Sequence, residues 1–171
     1  MEFLYAPWRK NYTLSTAHTK NGTIDKDQCI FCIQFGQLQM DEKHFIIKRF
    51  THTVVVLNLY PYNAGHLLLL PLEHHADFNC LAQQVRAQLM ELITHSTHIL
   101  RQTLGADGIN VGCNLGRAAG AGIPSHLHMH VLPRWVGDTN FLPALAQTKQ
   151  ISFDLNDIYK KLKQQFDLIE L

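Results

Sequence analysis

Short apolar runs bounded by turn formers give way, midway along the chain, to apolar residues recurring at helical spacing. His44 to Lys48 and Thr53 to Leu59 predict strands, the second rich in valine. Pro61-Tyr62-Asn63-Ala64-Gly65 predicts a turn into a further strand, His66 to Leu70, so that the strands flanking it form an antiparallel pair. From Cys80 to Leu104 the period changes: Leu81, Val85, Leu89, Leu92, Ile93, Ile99, Leu100 and Leu104 share one helical face, interrupted near Ser96. Asp77 or Asn79 is the expected N-cap and Gly105 the expected stop. Ile109 to Asn114 predicts a short strand, followed by the glycine-rich stretch Gly116 to Gly122 and a strand from His126 to Leu132 ended by Pro133. Ile158 to Leu168, within the C-terminal segment 150–171, predicts an amphipathic helix. Residues 1–28, with their turn signal Asn21-Gly22, read as an irregular lead-in. Strands, one long helix and more strands make the class α+β with a largely antiparallel sheet. With no internal repeat and no linker, the 171 residues are expected to form a single domain.

Composition narrows this further. Hydrophobic residues make up 46% of the chain, enough for a core without disulfide staples, and at 17% charged no segment reads as disordered. Lys+Arg 15 against Asp+Glu 14 leaves a formal net charge of +1, which argues against nucleic-acid binding driven by phosphate neutralisation. The longest aliphatic run, Leu67 to Leu70, is far short of a membrane span, and the first residues lack the pattern of a signal peptide. A soluble, cytoplasmic protein is therefore expected. In a reducing compartment the pair Cys29 and Cys32 points to metal or redox work rather than a disulfide scaffold. Cys80 and Cys113 have no paired spacing and are expected as core thiols.

Histidine is the outlier, at 11 residues. In His126-Leu127-His128-Met129-His130-Val131-Leu132, alternation on a strand puts three imidazoles on one face and Leu127, Met129 and Val131 on the other. For a lone histidine, a solvent-facing position would be the ordinary reading; three in alternation beside a glycine-rich loop make that the minority one. Two chemistries compete. The imidazoles could chelate a catalytic metal with an open position for water. Alternatively, one imidazole could attack phosphorus while its neighbours and backbone N–H groups of the glycine stretch hold phosphate oxygens. That stretch is neither a dinucleotide-binding fingerprint nor a P-loop, because it precedes a strand and no Gly-Lys-Ser/Thr follows.

The His-Leu-His-Met-His-Val-Leu run resembles the signature of the histidine-triad (HIT) family of nucleotide hydrolases and transferases. The resemblance extends to Asn58 through His66 with the aliphatic strand and Pro71 after it, and to Gly108 through Gly116. It continues in Pro133-Arg134-Trp135, Gly137-Asp138 and the opening Leu4 to Arg9. In these the chain is similar to the branch containing diadenosine tetraphosphate phosphorylases and fragile-histidine-triad-like hydrolases. The resemblance implies a HIT-like fold with a mostly antiparallel five-stranded sheet, one long helix and a C-terminal helix. It implies that His128 is the nucleophile of a nucleotidyl-histidine intermediate, that His130 bonds the α-phosphate or bridging oxygen, and that His66 supports the triad from beneath. Asn58 would bind ribose hydroxyls, and Asn114 with backbone donors near Gly122 and Ile123 would hold phosphate. For Asn58 and Asn63 the plainer role is turn chemistry, and that is the expectation for Asn63. Relatives are homodimers that pair through the long helix and a strand edge, so Cys80 to Leu104 is the expected dimer element.

The implied reaction is hydrolysis of dinucleoside polyphosphates of the diadenosine tri- or tetraphosphate type, releasing a nucleoside monophosphate. One departure bears on the acceptor: Ala121-Gly122 stands where the phosphorylases carry Gly-Ser, which favours water over inorganic phosphate. A phosphorylase, a non-catalytic nucleotide-binding sensor and a catalytic metalloenzyme on His126, His128 and His130 are the rivals.

For Cys29-Ile30-Phe31-Cys32 a redox pair lacks the preceding strand it would need, and tetrahedral zinc with histidine ligands is the better reading. The resemblance implies structural zinc held by Cys29, Cys32, His74 and the first triad histidine, His126, with His75 the competitor for His74. Phe3, Tyr5 and Trp8 could stack on a base or simply pack.

Overall fold

The computed structural model describes residues 26–146 and 153–171. The first 25 residues, and with them Phe3, Tyr5 and Trp8, lie outside the described residues. After a 3-10 turn at Lys26–Gln28 come helix α1 (Ile30–Gly36), strands β1 (Ile46–Arg49), β2 (Thr53–Leu57) and β3 (Leu67–Pro71), and the long helix α2 (Gln83–Leu104). Strands β4 (Gly108–Cys113) and β5 (Met129–Arg134) and helices α3 (Leu142–Ala146) and α4 (Leu155–Phe166) complete the order. The strands form one antiparallel five-stranded sheet in the order β1-β2-β3-β5-β4.

β2 and β3 carry near-continuous apolar runs because both faces of the sheet are covered there. Val55, Leu57, Leu67 and Leu69 pack with Val85, Leu89, Leu92 and Leu100 of α2 and with Ile158, Leu162 and Phe166 of α4. Val54, Val56, Leu68 and Leu70 face the other way, onto Cys29, Phe31 and Phe35. That second cluster explains α1. A seven-residue helix without a side-chain cap leaves little periodic signal, and it is held by burying Phe31 and Phe35.

Helix α2 starts three residues later than its apolar spacing suggests. Phe78–Cys80 forms a separate 3-10 turn, whose cap Asp77 accepts from the Asn79 N–H at 2.9 Å. Ser96 does not interrupt the helix; it is a fully buried small residue on the core face. Gly105 stops the helix at φ 64°, its N–H donating to Arg101 O. Gly65 closes the turn before β3 at φ 76°, where a Cβ would stand 2.5 Å from Leu104 Cδ1. The positive φ favours glycine in that turn, which sits against Leu104 at the end of α2.

Other boundaries differ from expectation. The strand after the glycine-rich stretch begins at Met129, not His126, and runs through Pro133. Pairing with β3 ends at Val131, so Pro133 has β4 alone as a neighbour. Its carbonyl is taken by Asn63 Nδ2 at 3.0 Å, which shows that its backbone polar side faces the vacated β3 position, where no N–H is needed. Helix α4 starts at Leu155 because Asp154 accepts the N–H groups of Asn156 and Asp157 at 2.8 and 3.1 Å. Cys80 and Cys113 are not core thiols: Cys80 is exposed in the 3-10 turn and Cys113 half-buried at the end of the edge strand. Among the described residues no helix is long and apolar enough to cross a membrane.

Candidate active site and metal centre

A cleft of about 490 Å³ opens between α1, the ends of β1 and β2, and the glycine-rich loop. Asn58, Asn114, Gly122, Ile123, His128 and His130 all line it. The expected alternation survives although His126 and His128 precede the strand, and these two rings are buried, at 1% and 7% exposure, rather than solvated. Phe31 lies against both, its centroid 5.5 Å from His126 and 5.7 Å from His128.

The hydrogen bonds fix the protons. His128 Nδ1 lies 2.8 Å from the carbonyl oxygen of His126, which can only accept. Nδ1 therefore carries the hydrogen, and the Nε2 lone pair is the available nucleophile. Burial lowers the His128 pKa, opposed in part by that hydrogen bond, so the ring is neutral at pH 7.

A second chain of protons runs through His66, which is fully buried. Its Nδ1 accepts from the Tyr62 N–H and from Asn58 Nδ2, both at 3.2 Å. Its Nε2–H must then donate to His130 Nδ1, 2.9 Å away, which leaves the hydrogen of His130 on Nε2. Burial, with His130 and His128 nearby, holds His66 down to about 3, so this direction does not reverse at neutral pH. His130 is thereby a donor and His128 a base.

Asn58 does two things: Oδ1 accepts from the Tyr60 N–H at 3.0 Å, a turn bond, while Nδ2 reaches His66. Asn63 exceeds the turn role expected of it. Its Nδ2 donates to Pro133 O and to Asp138 Oδ2 at 2.8 Å, which ties the hairpin turn to the end of β5. Asp138 is in turn held by Arg134 at 2.7 and 2.9 Å, and this guanidinium holds its carboxyl far below the usual carboxylate range. Tyr62, to which no role was assigned from sequence, stacks on His130 at 5.8 Å and 18°. Its place in the Pro-Tyr turn between Asn58 and His66 was the available signal.

Behind the triad, one ligand atom each of Cys29, Cys32, His74 and His126 falls within 4.8 Å of the others. Among the described residues this is the one such group of His, Cys, Asp or Glu donors. Cys32 Sγ is 3.2 Å from His74 Nδ1 and 3.5 Å from His126 Nδ1. His126 Nε2 donates to Pro71 O at 2.9 Å, which turns Nδ1 toward the sulfurs, as metal-bound histidines commonly give their other ring N–H to a backbone carbonyl. Burial holds the His126 ring down to about 4, keeping it neutral. Burial and the neighbouring Cys29 push the Cys32 thiol up to about 11, so thiolate ligation calls for a cation. Two sulfurs and two imidazole nitrogens fit a closed tetrahedral site. His75 is not of this set: its ring faces Glu73 and its carbonyl accepts from Leu127 N–H. Nor do His126, His128 and His130 converge on a common point, since the first turns its Nδ1 to the sulfurs and the second bonds backbone.

The sequence model of the HIT domain matches residues 39–136. This chain belongs to the HIT family. The AP-4-A phosphorylase of Mycobacterium tuberculosis is 31% identical over 166 residues, covering 97% of this chain and 85% of that protein. An uncharacterized HIT-like protein of Methanocaldococcus jannaschii is 29% identical, covering 79% of this chain and 98% of its own. In fold the HIT domain resembles the crystal structure of a Zn-bound histidine triad family protein from Mycobacterium smegmatis, with a TM-score of 0.67 and 24% identity over 84% of this chain and 96% of that one. This HIT protein is thus a member of a nucleotide-processing family, with the α+β sheet its motifs implied.

Proposed function

We propose that this HIT protein cleaves dinucleoside polyphosphates through a covalent nucleotidyl adduct on His128. The observation that carries the reading is the buried, neutral His128 ring with its proton pinned on Nδ1 by the His126 carbonyl. His128 Nε2 attacks the α-phosphorus, and the bond from phosphorus to the bridging oxygen breaks. His130 Nε2–H donates to that oxygen or to the α-phosphate. An acceptor then displaces the nucleotide from nitrogen, restoring the imidazole. Asn58 binds the ribose hydroxyls, and Asn114 and the backbone at Gly122 and Ile123 face the phosphates, consistent with their shared cleft.

The acceptor is water in this reading, because Gly122 offers no hydroxyl to hold an incoming phosphate. Inorganic phosphate is the second reading, favoured by the relative named as an AP-4-A phosphorylase. Incubation with diadenosine tetraphosphate, with and without phosphate, separates them. Water yields adenosine monophosphate and triphosphate regardless; phosphate yields diphosphate in place of monophosphate. His128→Ala is expected to lower turnover by about a thousandfold or more. Full activity in that variant ends the proposal.

Two sulfur and two nitrogen donors suit zinc, which Cys29, Cys32, His74 and His126 would hold. When bound it supplies structure, with all four positions taken by protein. Its would-be ligands lie away from the substrate cleft, which none of Cys29, Cys32, His74 and His126 lines.

A further inference from the structure

Among the described residues, Phe45 is the one non-glycine residue at positive φ, 54°. It stands just before the irregularity in the β1 register between Ile46 and Lys48. A bulky side chain in left-handed backbone is unfavourable and persists only where its surroundings over-determine it, commonly at ligand sites. Here the backbone is fixed on both sides. The Phe45 N–H donates to Glu42 O at 3.2 Å, and its carbonyl accepts from the Leu57 N–H at 2.9 Å.

The ring is fixed by α4, meeting Tyr159 edge to face at 5.6 Å and 85°. The same helix grips the next two residues: Tyr159 OH donates to Ile46 O and Lys163 Nζ to Ile47 O, each at 3.1 Å. Thus a helix that lies outside the segment matched by the family holds Phe45 and the first two residues of β1. Phe45 lines the cleft that contains His128 and Asn58, and Leu57, which its carbonyl holds, immediately precedes Asn58.

We propose that Phe45, positioned by Tyr159 of the C-terminal helix, is a specificity-determining residue for the nucleoside end of the substrate. The proposal rests on the reading of the cleft as a nucleotide site. It makes α4 part of the recognition apparatus, with the helix setting the wall against which base and ribose lie.

The test uses the full chain as wild type, Phe45→Gly and Tyr159→Phe. Titration calorimetry reads adenosine and cytidine monophosphate binding, and steady-state kinetics read diadenosine tetraphosphate cleavage. Glycine accepts the positive φ, so Phe45→Gly removes the ring while permitting the backbone. It is expected to weaken adenosine monophosphate binding about tenfold, with KM rising in step and kcat changing less than about threefold. The ratio of the two nucleotide affinities should shift by about threefold or more. Tyr159→Phe keeps the ring contact and loses the bond to Ile46; it should raise KM by about two- to fivefold, and it decides the matter if the glycine variant does not fold. Unchanged binding and KM beside a wild type that binds overturn the inference. So does a loss that merely tracks the folded fraction at an unchanged affinity ratio. A wild type that binds neither nucleotide overturns the reading of the cleft instead.

Discussion

His66 sits beneath the cleft without solvent contact, and its depressed pKa makes folding pay in protons on acidification. Unfolded, the ring titrates near 6.5; folded, it resists protonation to about 3. Between those values the unfolded chain binds a proton that the folded one does not. The stability is therefore fully present above pH 6.5 and drains as pH falls toward 3, at up to about 1.4 kcal/mol per pH unit. In urea unfolding from pH 7.5 to 4.5, His66→Asn should flatten the slope of stability against pH by about one proton; parallel curves would refute this. Alternation along the strand marked His128 and His130, and the family resemblance marked His66, Asn58 and Asn114; four of these line the cleft and His66 bonds His130 from beneath, so the identity of these residues was legible. The direction of each proton was not, because it depends on the His126 carbonyl and the Tyr62 N–H, whose positions exist only in the fold.

At the scale of elements, the metal set joins the start of α1, the turn after β3 and the approach to β5. Cys29→Ser is expected to lose bound zinc and to lower unfolding free energy by a few kcal/mol, since metal binding and folding are coupled. His75→Ala should keep the full zinc content, measured by elemental analysis on both variants. Equal zinc in all three proteins would remove the assignment. The long elements were legible because their periods are long: α2, α4 and the buried pair β2 and β3 stand close to where the apolar pattern puts them. Helix α1 was not, as its stability comes from Phe31 and Phe35 meeting a sheet about which a seven-residue window holds no information. The choice of His74 over His75 likewise follows from a turn that sends consecutive side chains to opposite sides.

At the scale of the molecule, the sheet ends at β4, whose outer side has no partner strand among the described residues and leaves Val111 45% exposed. Open apolar edges invite pairing. Sedimentation of the wild type should show a dimer, as the resemblance implies, and Val111→Lys should shift it to monomer; a monomeric wild type would refute the pairing. Parts of the site lie far apart along the chain, and the packing of α1 on the sheet brings Cys29 to His126. At His126 the ring serves the sulfur pair, while the peptide group serves His128. Every amino acid brings that same peptide oxygen, so exchanging the residue can strip away the first duty and leave the second standing. The aim of the attacking imidazole is thus sheltered from ordinary mutation. It is vulnerable to a change that bends the main chain there, such as Leu127→Pro, which would also forfeit the N–H now held by His75 O at 2.6 Å.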